Sequence, residues 1–205
     1  MTDRSELVAT VLLALAAVAT AWSGYQATRW NGEQAKASSR TNAIRIDAAR
    51  AQGLAEAQKE VDVATFIQWV DAYAHRETEL TTFYERRFRA EFKPAFHAWL
   101  ATKPLTNANA PLTPFVLPQY QLAAEEDAHR LDTEAEVSAA QVRRNIQRAS
   151  NYVLGVVLFS VSLFFAGMST KLANARRRQI AIGVGCVVFL GTLIWIATSP
   201  VSLSV

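Results

Sequence analysis

Apolar positions fall into two regimes along the chain. In residues 7–28, 149–170 and 179–205 there is no Asp, Glu, Lys or Arg. Each stretch exceeds the roughly 18 uncharged apolar residues that mark a membrane-crossing helix. Between them the apolar positions recur at helical spacing instead. Ile44, Ala48, Ala51 and Ala55 step by 4, 3 and 4, and Phe66, Val70, Tyr73, Leu80 and Tyr84 continue a similar face. Ala135, Ala139, Val142, Ile146, Ala149 and Val153 step by 4, 3, 4, 3 and 4, a coiled-coil seam running into the second apolar stretch. The pattern predicts an all-α integral membrane protein. Its parts are an N-terminal transmembrane helix (1–28), an extramembrane helical bundle or coiled-coil-like head (29–150) and a transmembrane hairpin (151–205).

Each apolar run has the marks of a span. Residues 7–27 cover roughly 31 Å as a helix, one hydrocarbon core. Ala16, Thr20 and Gly24 form a small-residue stripe that lets another helix approach, and Ser162, Ala166 and Thr170 form a second. Trp22, Tyr25 and Trp30 crowd the end of the first run, where amphipathic rings favour the headgroup layer. Ser160, Ser162 and Ser169 can return their hydroxyls to the helix's own carbonyls. The competing reading of the first run is a cleaved signal peptide, with Ala19-Thr20-Ala21 as its cleavage site. Asp3 and Glu6, which cancel Arg4 where a positive region is wanted, favour a retained span.

The region from Glu33 to Phe92 holds no proline and one glycine, Gly53, among good helix formers. An unbroken helix would far outrun its partner, so a break is expected near Gly53 or around Val61-Asp62. Pro94 is expected to stop the ascending limb. A return helix of roughly 50 residues is expected from Tyr120 to Thr170, with acids at its start suiting the helix dipole. Residues 102–118 form a proline-rich loop. Pro104, Pro111, Pro114 and Pro118 exclude regular structure there, while Phe92, Phe96, Trp99, Phe115 and Tyr120 can pin it to the bundle. The loop reads either as a tethered cap or as a partner-binding surface built from Trp99 and Phe115 with Arg86, Arg87 and Arg89 nearby.

Charge decides orientation more than identity. The formal net charge is only +3, with 51% hydrophobic and 19% charged residues, which does not point to nucleic acid. Lys171, Arg176, Arg177 and Arg178 fill the short loop 171–178, and no basic residue follows the third run. The positive-inside rule then places that loop in the cytoplasm and the central region outside the cell's inner membrane. Arg29, Lys36 and Arg40, with Arg143, Arg144 and Arg148, argue the other way, but long domains are largely exempt from the rule.

The runs Ala21-Trp22-Ser23-Gly24-Tyr25-Gln26-Ala27 before Arg29-Trp30, Phe83-Tyr84-Glu85-Arg86-Arg87-Phe88, and Pro94-Ala95-Phe96-His97-Ala98-Trp99-Leu100 resemble an uncharacterised family of small bacterial three-helix membrane proteins. The resemblance covers nearly the whole chain. It implies a bacterial inner-membrane location and, since that family has no assigned activity, no catalytic residues.

Chemistry is thin. His75, His97 and His129 lack the spacing of a helical zinc pair, and no HExxH, CxxC, P-loop, G-x-G-x-x-G or G-x-S-x-G motif occurs. His129 lies among Glu125, Glu126 and Asp132, a pattern better read as a solvated helix face than as a metal site. Cys186 is alone, so there is no disulfide framework. No catalytic residue, metal ligand or cofactor is expected. The reading is a non-enzymatic structural or accessory interaction module that self-associates in the bilayer. A homo-oligomeric channel is the alternative, although no ionisable group lies at membrane depth.

Overall fold

The computed structural model describes residues 2–202. Met1 and 203–205, at the outer ends of the first and third expected segments, lie outside the described residues, as do the side chains of Thr2 and Asp3. Among the described residues there are five α-helices and no strand: α1 (Thr2–Ala74), α2 (Thr78–Arg87), α3 (Lys93–Ala101), α4 (Ala123–Ser169) and α5 (Ala175–Ala197), with a 3-10 turn at Pro114–Val116. Helices α1, α4 and α5 each contain a segment long and apolar enough to cross a membrane. The chain divides into two compact units, one from Met1–Thr41 with Val137–Val205, the other Asn42–Glu136.

In the first unit, small residues let three helices meet closely. Leu12 and Ala16 of α1 pack with Phe159 and Ala166 of α4 and Phe189 of α5. Ala16, Ser162 and Ala166 of the predicted stripes are fully buried, while Thr20 and Gly24 are half-buried. The tightest approaches are at Gly155, where a Cβ would lie 3.0 Å from Ile196 Cδ1, and at Gly185, where it would lie 3.2 Å from Leu12 Cδ2. Hydroxyls turn inward on their own helices: Thr20 donates to the Ala16 carbonyl, Ser160 to Val156, Ser162 to Leu158 and Thr192 to Val188. The segment after α5 is held by side chains. The Gln26 amide accepts from the Ser202 N–H at 3.0 Å and donates to its carbonyl at 3.4 Å. Trp30 Nε1–H and the Tyr152 hydroxyl both donate to the Pro200 carbonyl at 3.2 Å. Arg148 lies over the Trp30 ring, 4.5 Å from its centre.

The α4 seam differs from the predicted one at two positions, each displaced by one residue. Ala135 and Ala149 are buried as expected, but Ile146 and Val153 are exposed, and Asn145 and Tyr152 take the inward positions. Their polar groups are satisfied there, Asn145 accepting from Gln141 Nε2 and Tyr152 donating to Pro200, so the face can bury them at little cost. Likewise Asn174, not a loop residue alone, caps α5 by accepting from the N–H groups of Arg176 and Arg177. The expected basic loop 171–178 therefore shortens, and three of its four cations lie in the first helical turn.

In the second unit, α1 does not break at Gly53 or at Val61-Asp62. Gly53 is exposed with open space around it, and Asp62 has partners outside the helix, so neither interrupts a run of good helix formers. The stop comes at Arg76, in left-handed conformation (φ 64°). The Glu77 N–H bonds the Ala72 carbonyl and the Arg76 N–H bonds that of Tyr73, the paired bonds of a Schellman termination. Pro94 does not end a helix either. It occupies the first turn of α3, where its missing N–H has no partner to lose. Ile44, Ala48 and Ala55 are buried as predicted, but further on the inward face is Phe66, Trp69 and Ala72, with Val70, Tyr73 and Leu80 exposed.

Candidate functional site

The second unit is built around aromatic side chains. Phe66 and Trp69 of α1 pack with Phe88, Phe92, Phe96 and Trp99, and Phe115, Leu117 and Tyr120 close over them. Most rings meet edge to face, as between Phe66 and Trp99 at 5.2 Å, while Phe92 and Phe115 stack at 5.1 Å. Such pairs favour a fixed geometry over a loose apolar cluster. The proline-rich loop is tied to this core: Trp99 Nε1–H donates to the Pro111 carbonyl at 2.8 Å. Of the four residues expected to form an interaction surface, Trp99 and Phe115 thus lie together in the aromatic cluster. Arg86 and Arg87 are exposed on α2, a helix with no buried residue, and Arg87 lies 3.7 Å above the Phe83 ring.

Beside the rings is a buried polar group that the sequence pattern did not reveal. Asp62 is fully buried. Its Oδ2 accepts from Arg89 Nη1 at 2.8 Å and from the Tyr120 hydroxyl at 3.0 Å. Arg89 also pairs with Glu91, whose other oxygen accepts from the Ala123 N–H at the start of α4. Burial raises the Asp62 carboxyl above its ordinary range, outweighing the Tyr120 hydrogen bond and the Arg89 charge. Burial and the adjacent carboxylate push the Tyr120 hydroxyl well above the usual phenol range. Asp62 Oδ1 has no hydrogen-bond partner among the described residues. The available signal was a charge on an apolar helix face, four positions before Phe66.

An apolar cleft of about 780 Å³ lies between the end of α1, the start of α2 and the chain leaving α3. Trp69, Val70, Tyr73, Leu100 and Leu105 supply its apolar lining, and Arg76, Lys103, Thr78 and Thr81 its polar one. Lys103 (φ 54°), like Arg76, is left-handed. Its N–H bonds the Leu100 carbonyl, and Pro104 follows, so α3 ends there. Glycine is the usual occupant of such a position, and nothing in the sequence marked these two basic residues as its substitutes. His75, one residue before Arg76, is held above its ordinary range by its bond to the Asp71 carbonyl and by the Asp71 charge.

Among the described residues no three His, Cys, Asp or Glu side chains converge as a metal site would require. No protein-family model, curated protein or solved structure matches the chain.

Proposed function

We propose that this chain is a membrane-anchored interaction module without catalytic activity, held by three bilayer-spanning helices and recruiting a protein partner through α2 and the adjoining loop. The observation that carries the reading is α2 itself. It buries no residue and presents Phe83, Leu80, Arg86 and Arg87 outward. Aromatic and arginine side chains are enriched at the centres of protein interfaces. Leu112 in the loop adds an apolar side chain that is 92% exposed. Burial of Trp99 and half-burial of Phe115 support giving the recognition role to α2 and the loop's apolar tips, with those two rings as scaffold.

Membrane anchoring is supported by what the apolar segments turn outward: Leu7, Val18, Val157, Phe164, Val187 and Ile194 are all exposed. It is also supported by the cations of α5. Arg176, Arg177 and Arg178 sit at a helix N-terminus, where each positive charge opposes the dipole by about 0.3–1 kcal/mol. Local helix energetics does not favour them there; anionic headgroups on the cytoplasmic face do. By the same rule the Asn42–Glu136 unit lies on the opposite side of the bacterial inner membrane.

Site-specific photo-crosslinkers at Phe83 and Leu112 in native membranes should each trap one common protein, and a crosslinker at Gly53 should not. If only lipid adducts form at Phe83 and Leu112, the recruitment reading fails. Carbonate extraction that releases the chain into the supernatant would overturn the anchoring.

A further inference from the structure

The cleft at the end of α1 combines three independent features that select one ligand chemistry. Its walls are apolar and aromatic, from Trp69, Val70, Tyr73, Leu100 and Leu105. Its cations are Arg76 and Lys103, and neither forms an ion pair with a described residue. The start of α2 also lines it, through Thr78 and Thr81. That helix begins without a side-chain cap; the Thr78 N–H bonds the Arg76 carbonyl, and the next N–H groups of the first turn have no side-chain acceptor. Glu77 and Glu79 flank this turn but do not line the cleft, and no carboxylate does. The Trp69 indole N–H is already taken by Glu85 at 3.0 Å, so that ring offers the cleft its apolar face.

We infer that this cleft binds a long-chain carboxylate, a free fatty acid, with its acyl chain along Trp69, Tyr73 and Leu100 and its head group between Arg76, Lys103 and the start of α2. A volume near 780 Å³ falls inside the range of about 300–1,000 Å³ for small-molecule pockets, which are mostly apolar with a few convergent polar groups. Two single cations and a helix N-terminus suit a carboxylate head, which accepts hydrogen bonds from several directions. The backbone strengthens the assignment. Left-handed conformation is unfavourable for a non-glycine residue, and here the two such residues among those described are both basic and both line the same cleft. A role of their side chains in the cleft accounts for arginine and lysine where glycine would serve the turn better. This site does not depend on whether α2 recruits a protein.

The test is photolabelling of the full chain in lipid nanodiscs with a diazirine-bearing palmitic acid, followed by peptide mapping. The matching diazirine alcohol serves as the neutral probe. The acid should label peptides containing Trp69–Ala74 and Trp99–Thr106 about tenfold more than the alcohol, and unlabelled palmitate should compete. Labelling of peptides from the apolar segments 7–28 and 179–202 should be equal for both probes, which provides an internal reference. The double variant Arg76→Gly, Lys103→Gly retains the left-handed turns while removing both charges. It should abolish the preference for the acid, whereas Arg76→Lys, Lys103→Arg should keep it. Equal labelling of the cleft by acid and alcohol overturns the inference in the wild-type chain alone. So do labelling confined to the apolar segments, a preference that persists in the double glycine variant, and a protein crosslink at the cleft that excludes the acid.

Discussion

Asp62 is held in the interior by a small set of directed bonds, so its energetics can be read from its partners. The Asp62–Arg89 pair is desolvated on the carboxylate side, with Arg89 about a quarter exposed. Removing one member of a buried pair costs about 3–5 kcal/mol because the remaining charge is left uncompensated. Arg89→Met should therefore destabilise the second unit by about 3 kcal/mol, the lower end, since Arg89 retains some contact with water. Adding Asp62→Asn should restore much of that loss. Hydrogen exchange at the amides of Phe92 and Phe96 reports both effects. The pH dependence has a definite sign. Burial raises the folded-state Asp62 carboxyl above 3.8, so the native unit binds the proton more tightly than the unfolded chain does. Its contribution to stability is fully present below pH 3.8 and is lost as pH rises through the folded value. Protection factors in this unit, which remove the intrinsic rise of exchange with pH, should fall across that acidic window, and Asp62→Asn should flatten the fall.

Helix packing in the first unit is set by where the glycines sit. A Cβ added at Gly185 would meet Leu12 Cδ2, Phe165 Cβ and the Ser162 carbonyl, whereas one added at Gly183 or Gly191 on the same helix would meet nothing within 4 Å. Gly185→Val should cost about 1–3 kcal/mol through overpacking. Gly191→Ala should be neutral or stabilising by up to about 1 kcal/mol, because alanine has the better helix propensity. Unfolding of the purified chain in a mixed-micelle SDS titration separates the two. The helices themselves were legible to different depths. α4 was expected from Tyr120 to Thr170 and runs Ala123–Ser169, since no proline interrupts it and acids open it. Its inward face was not legible, because hydrophobicity ranks Ile146 and Val153 above Asn145 and Tyr152. The fold reverses that order by supplying hydrogen-bond partners, Gln141 one turn away for Asn145 and the distant Pro200 carbonyl for Tyr152. The end of α1 was missed because its stop is a left-handed arginine, and the apolar cleft was missed with it. Pro94 was misread because proline excludes a helix interior but not a first turn.

At the scale of the whole chain, the second unit is one continuous stretch, Asn42–Glu136, while the first is assembled from two separate pieces. The continuous unit has all its parts once Glu136 has been made. The other waits. Gln26 and Ser202 are 176 positions apart, and Trp30 and Pro200 are 170 apart. During synthesis the amide of Gln26 and the indole of Trp30 must therefore wait for 176 and 170 further positions to be made before their partners exist. A chain terminated after Ser199 should keep the protease resistance of 42–136 yet show faster exchange around Gln26 and Trp30. In the cell this makes residues synthesised long after α1, Pro200 and Ser202, the ones that fasten it. Any holdase or insertase attending this protein would have to shelter that helix until Ser202 has emerged.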